Sequence, residues 1–370
     1  MLVAGLMQHA ADPFGKKEKA LLYFAISILF LLVGSGRYGL DSAEVRCLIG
    51  GNPGKEQAMV YLGNDAFRYE ELAEWARLPK GWSFREVVDV EVDENDRVYV
   101  FNRGDHPVMV FEQDGSFVSA WGEGLFVRPH GLTLAADGTL FCVDDQGHCI
   151  RKSTLDGEEL QVIGTPGEGA PAQSGKPFNQ PTKVAFDRDT GDLYVSDGYG
   201  NARVHKYSPE GEHLISWGDY GCEAGEFNLV HSVCTDSTGK VYIADRENHR
   251  VQIFDGEGNY LDQWSNLHRP CGLHIEKDLV YVGQIPTHLA VNEAYPNLGA
   301  CVTIHDLSGK QLARLGDSRP GERPGQFTAP HGISVDSRGD IYVGEVSYSA
   351  YGSRLDPPRL MRSFRKLVKV

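Results

Sequence analysis

Val230-His231-Ser232-Val233, Val241-Tyr242-Ile243-Ala244-Asp245 and Val251-Gln252-Ile253-Phe254 follow one another within 25 residues. Short apolar runs of this length, separated by turn-forming residues, predict antiparallel strands joined by hairpins. The unit recurs on both sides. Pro129-His130-Gly131-Leu132-Thr133-Leu134 leads to Leu140 to Asp144, and Pro330-His331-Gly332-Ile333-Ser334-Val335-Asp336 leads to Ile341-Tyr342-Val343-Gly344-Glu345. Weaker copies start at Pro181-Thr182-Lys183-Val184 and Pro270-Cys271-Gly272-Leu273, and the most degenerate is Val87-Val88-Asp89-Val90-Glu91-Val92-Asp93.

Beyond the acid or its substitute comes a third apolar run, such as Val108 to Phe111 or Val204 to Tyr207. A fourth often ends in Trp-Gly, as at Trp121-Gly122 and Trp217-Gly218. Four strands in about 40–60 residues make one propeller blade. The equivalent positions 88, 130, 182, 231, 271 and 331 are spaced by 42, 52, 49, 40 and 60 residues. The sequence thus predicts an all-β, six-bladed β-propeller with four-stranded antiparallel blades around a central channel. The longer spacings carry insertions at 165–180 and 285–300.

Composition agrees with this reading. The chain has 370 residues, 41% of them hydrophobic, which supports a real core and excludes wholesale disorder. Its 43 glycines imply many tight turns, and its 7 cysteines are too few and too odd in number for a disulfide scaffold. With 36 basic and 51 acidic residues the net charge is −15, which argues against a nucleic-acid partner. The chain is read as a monomer.

The amino-terminal residues 1–58 are set apart from the propeller domain, 59–370. Residues 20–34 are an uncharged apolar run preceded by Lys16, Lys17 and Lys19. Its length suits a signal-peptide core better than a span of about 20 residues. A short membrane anchor and a non-native extension ahead of a true start at Met59 are the other readings. Export or anchoring follows from the first two and a cytoplasmic location from the third, and membrane contact is expected only through residues 20–34.

Equivalent positions in six blades form a ring about the axis. After the usual proline they are Val88, His130, Thr182, His231, Cys271 and His331. A lone histidine near a strand end is usually a packing residue, but these three fall in alternate blades, about 120° apart. Three converging imidazoles are a set that Zn2+, or another divalent metal, accepts, with a fourth position left for water or substrate. The loops after the second strands supply a second ring, Arg103, Asp145, Tyr199 and Arg246. Two guanidiniums beside a cation repel unless an anion joins them, so the expected ligand carries a carboxylate. Tyr199, between Gly198 and Gly200, is expected to project from a tight loop. A nearby cation would draw its phenol down from about 10 and make it a base.

Asn248-His249-Arg250-Val251-Gln252-Ile253-Phe254 resembles the NHL repeat, whose family folds as such propellers. The strings Phe101-Asn102-Arg103-Gly104-Asp105-His106, Pro129-His130-Gly131-Leu132, Val195-Ser196-Asp197-Gly198-Tyr199, Val230-His231-Ser232, Ala244-Asp245-Arg246-Glu247-Asn248 and Pro330-His331 together resemble the peptidyl-α-hydroxyglycine α-amidating lyase family. The resemblance implies zinc on His130, His231 and His331, a catalytic Tyr199, and active-site Arg103 and Arg246. Two features depart from the family. Gly332 stands where the family has an acid that helps hold a structural Ca2+, which puts that ion in doubt. Gly200 stands where the family has a disulfide cysteine, which fits a reducing compartment, although Cys142 and Cys149 could pair in an exported chain.

The function expected is a zinc-dependent lyase that splits the C–N bond of an α-hydroxyglycine-type carbinolamide into an amide and glyoxylate. Its substrate is a small anionic or peptide-derived molecule bearing a carboxylate. With no copper-oxygenase segment in the sequence, the hydroxylated substrate is expected from another protein or as a small hydroxylated amide. The alternatives are a non-catalytic NHL binding module and a metal-dependent propeller hydrolase, whose usual carboxylate and Asn ligands this ring lacks. The insertions at 165–180 and 285–300 and the tail 346–362 are expected to shape the pocket.

Overall fold

A computed structural model of the chain describes residues 60–370 apart from 73, 288, 290, 293 and 294. The apolar run 20–34 and the amino-terminal segment lie outside the described residues. No helix among the described residues is long and apolar enough to cross a membrane.

Six antiparallel sheets form the predicted propeller. Blade 1 comprises Val87–Val92, Val98–Asn102, Val108–Phe111 and Phe117–Trp121; blades 2, 3, 4 and 5 begin at Pro129–Leu134, Pro181–Phe186, Val230–Thr235 and Pro270–Glu276. Blade 6 differs from the sequence reading. Its inner strands are Pro330–Val335 and Ile341–Glu345, but its third strand, Phe364–Lys369, lies beyond the tail. Its outer strands come from the other end of the domain: Phe67–Leu72 pairs with Phe364–Lys369, with Tyr69 opposite Lys369, and Tyr61–Asn64 adds a fifth strand. The two ends of the domain thus meet in one sheet, where Phe67–Leu72 and Phe364–Lys369 supply each other's hydrogen bonds.

The core is divided among the blade interfaces. Val204, Phe227, Val233, Ile243 and Phe254 fill the space between blades 3 and 4, and Phe141, Ile150, Val184 and Val195 that between blades 2 and 3. The Trp and Gly signals mark these contacts. Trp121 packs on Gly157 of the next blade and Trp217 on Gly258; a Cβ at either glycine would lie 2.6 or 2.7 Å from the indole. Both glycines also have positive φ, so this turn excludes other side chains twice over.

The acids that end the second strands of blades 2, 4 and 6 are structural. Asp144 accepts the backbone N–H groups of Val127 and Arg128, Asp245 that of Asn228, and Glu345 those of Thr328 and Ala329. Each carboxylate therefore ties down the loop that feeds its own blade's inner strand.

Candidate metal centre and arginine-lined cavity

Every inner strand slips register at the ring position. Pairing jumps from Val87 to Asp89, Pro129 to Leu132, Pro181 to Lys183, Val230 to Ser232, Pro270 to Leu273 and Pro330 to Gly332. The skipped residues include Val88, His130, Thr182, His231, Cys271 and His331, the ring read from sequence. A bulge releases a residue from the pleat and re-aims its side chain. Here it directs three imidazoles toward one another.

The ring centroids of His130, His231 and His331 are 4.7–4.9 Å apart, and one ligand atom from each lies within 4.8 Å of the others. Each Nδ1 faces a backbone carbonyl in the following blade: Thr182 O at 2.7 Å, Cys271 O at 2.9 Å and Val88 O at 2.6 Å. A carbonyl only accepts, so Nδ1 carries the proton and Nε2 presents a lone pair. The odd blades thus set the tautomer of the ligands in the even blades. Burial holds all three imidazoles below their ordinary range, reinforced by His331 and Arg103 at His130 and by Arg246 at His231; for His331 the value is about 3, with Arg103 second to burial. Neutral, oriented imidazoles fit a divalent metal.

Tyr199 Oη lies 3.1 Å from His130 Nε2 and 3.1 Å from His231 Nε2. Its loop approaches blade 4 so closely that a Cβ at Gly198 would overlap the Val230 carbonyl. Burial pushes this phenol up; Arg246 and Arg103 pull the other way without prevailing. The protein's own groups therefore do not lower it, and the lowering expected from sequence has to come from a bound cation.

A cavity of about 350 Å³ opens over these groups, lined in part by Arg103, Arg128, Tyr199, Arg246, Arg269 and His331. Arg103 donates from Nη1 to Glu86 and from Nε to Pro129 O. Arg246 donates from Nε to Glu247, and its guanidinium carbon stands 5.7 Å from the Tyr199 ring centre.

The NHL repeat model matches residues 178–207 and 227–254. NHL repeat-containing protein 3 of Homo sapiens is 32% identical over 298 residues, covering 74% of this chain and 80% of that protein. The chain belongs to the NHL-repeat family. Peptidyl-alpha-hydroxyglycine alpha-amidating lyase 1 of Drosophila melanogaster is 30% identical to this NHL-repeat protein over 249 residues, covering 61% of the chain but only 44% of that relative. The solved virginiamycin B lyase from Staphylococcus aureus shares the fold, with a TM-score of 0.51 and 14% identity over 77% of this chain and 83% of that one.

Several residues of this NHL-repeat site escaped the sequence reading. Arg128 is committed to Asp145, the second-ring acid, through Nε and Nη2, and lies 5.3 Å from the Tyr199 ring centre. Arg269 grips Glu247 through Nε and Nη2 and donates from Nη1 to Pro286 O. Glu247 resists the upward push of burial because Arg269 and Arg246 hold it at about 2. Arg269 is thus tied up through all three of its nitrogens, Arg128 and Arg103 each commit two, and Arg246 donates from Nε to Glu247. A signal existed in Glu247, next to Arg246, but nothing local pointed to Glu86 or Arg269.

Among the described residues the insertions contribute Gln180 and Ile285 to this cavity, and the tail supplies Val346, Ser349 and Ala350. Ser349 is anchored by its N–H and Oγ to Glu86, the carboxylate that also holds Arg103. Cys142 and Cys149 are buried free thiols opposite Arg151 and Asp144, on different rungs of one strand pair.

The structural calcium does not fit. A Cβ at Gly332 would overlap Asp89 Cα and Oδ1, so the position admits no acid, and the Lys183 ammonium already contacts the nearby carboxylates.

Proposed function

We propose that this NHL-repeat propeller is a zinc-dependent carbon–nitrogen lyase. Its substrate is a carbinolamide, R-CO-NH-CH(OH)-COO⁻, peptide-derived or small, and its products are the amide R-CO-NH2 and glyoxylate. The observation that carries this reading is Tyr199 Oη within hydrogen-bonding reach of two metal-facing nitrogens, at the floor of a cavity rimmed by guanidiniums. The kinship with a protein named as an amidating lyase supports it.

The reaction balances without water: the C–N bond breaks, the hydroxyl oxygen loses its proton and becomes the aldehyde oxygen, and the leaving nitrogen gains one. A divalent metal on His130, His231 and His331 would supply Lewis-acid polarisation of the hydroxyl. In this proposal Tyr199 Oη takes the hydroxyl proton and hands a proton to the nitrogen. Arg103 holds the carboxylate side of the substrate, kept in place by Glu86. Arg246 orients Tyr199 and the substrate, kept in place by Glu247. The Val346–Ala350 stretch narrows the mouth and limits water entry.

The test is to incubate purified protein with α-hydroxyhippurate, measure glyoxylate, and determine metal content on the same sample. Glyoxylate release that tracks metal content is expected. A metal-loaded protein that binds the compound without turnover would mean a binding module instead.

A further inference from the structure

The small cavity lined by the three imidazoles also holds a second polar cluster. Asp89 and Glu91, two residues apart on the inner strand of blade 1, supply its carboxylates, and Asp89 is only 4% exposed. Lys183, on the inner strand of blade 3, reaches across. Its Nζ lies 2.6 Å from Asp89 Oδ2 and 3.3 Å from Glu91 Oε1, and it donates to the carbonyl oxygen of Leu132 in blade 2. All three ammonium hydrogens are therefore matched by oxygens from two other blades. The remaining capacity of Asp89 goes to the backbone N–H groups of Leu132, at 2.8 Å, and Val90, at 3.0 Å.

Two carboxylates and a carbonyl are the hard oxygen donors that a calcium ion prefers, at about 2.3–2.6 Å. Here an ammonium stands at hydrogen-bonding distance from the same oxygens, and a divalent ion among them would meet it at close range. The glycine after the last ring histidine belongs to the same arrangement. Gly332 leaves the space that Asp89 fills, so the acid comes from blade 1 and the positive charge from blade 3.

We infer that the Lys183 ammonium is a built-in substitute for a divalent cation in the propeller channel, bridging blades 1, 2 and 3, so that this chain needs no structural calcium. The assignment is independent of the lyase reading, because it concerns an ammonium and carboxylates that the proposed reaction does not use and is tested by stability and stoichiometry.

The experiment uses the full chain, stripped with a calcium-selective chelator, and follows thermal unfolding and equilibrium dialysis with calcium chloride. Wild type is expected to keep its Tm within about 1 °C with or without millimolar calcium and to bind none. Lys183→Ala strands the buried Asp89 and the partly buried Glu91, so its Tm is expected to fall by roughly 5–10 °C and to recover by at least half when calcium is added. Asp89→Asn in the Lys183→Ala background should abolish that recovery. Wild type that takes up one calcium and gains several degrees overturns the inference. So does a Lys183→Ala chain, folded or not, that calcium fails to rescue.

Discussion

The hydroxyl of Tyr199 and Nε2 of His231 lie 3.1 Å apart, with the two rings edge to face at 86°. The hydroxyl proposed to transfer the proton thus stands within hydrogen-bonding distance of a nitrogen that could hold a metal, and substitution can separate the two roles. Tyr199→Phe removes only the oxygen. It is expected to keep about one metal per chain while glyoxylate release falls roughly 10²–10⁴-fold. Metal analysis beside a steady-state assay checks this, and near-wild-type turnover in the Phe variant removes Tyr199 from the proton path.

His231→Ala takes away one corner of the tripod. Two imidazoles bind a divalent ion far more weakly than three, so metal content and turnover are expected to fall together, the metal by at least tenfold at limiting zinc. Retained metal with lost activity would place the ion elsewhere.

Removing the metal should also lower stability. The three imidazoles are neutral and held by carbonyls before any ion arrives, so a bound ion adds its binding energy to the folded state. That is about 2.7 kcal/mol at a free metal concentration of 100 times Kd. Calorimetry with and without a zinc chelator should show a Tm lower by several degrees in the chelated sample, restored by adding zinc. An unchanged Tm would count against a tripod site.

Glu247 carries a pH signature. Its folded value, about 2, lies below its ordinary 4.5 because Arg269 and Arg246 outweigh its burial. A depressed carboxylate stabilises the fold above its unfolded value, and that contribution is lost as pH falls from about 4.5 toward 2. Glu247→Gln is therefore expected to cost about 1–3 kcal/mol at pH 7 and to flatten the acid limb of the stability curve. Because Glu247 also holds Arg246, KM should rise by more than kcat falls. Urea titrations across this pH range, with kinetics at neutral pH, test both parts.

The blades were legible because each repeats the same apolar runs and turns, and the ring histidines because each sits one residue after the start of an inner strand, where the bulge falls. Blade 6 was not legible as a unit. Its third strand, Phe364–Lys369, is separated from Ile341–Glu345 by the tail, and its outer strands arrive from Tyr61 to Leu72. Lys183 read as an ordinary residue of an inner strand, since nothing near it announces carboxylates 92 and 94 residues away. Sequence shows the charged neighbours of Tyr199 but not the depth of its burial, which raises the phenol against the pull of Arg246 and Arg103.

His331 belongs to the blade in which the first and last strands of the domain meet, and its Nδ1 is held by Val88 O in blade 1 at 2.6 Å. Strand Phe67–Leu72 leaves the ribosome early and finds its partner only when Phe364–Lys369 follows some 300 residues later. A metal on the tripod would therefore report on a finished circle: it would tie together the inner strands of blades 2, 4 and 6, while the seam itself is held by the pairing of Phe67–Leu72 with Phe364–Lys369.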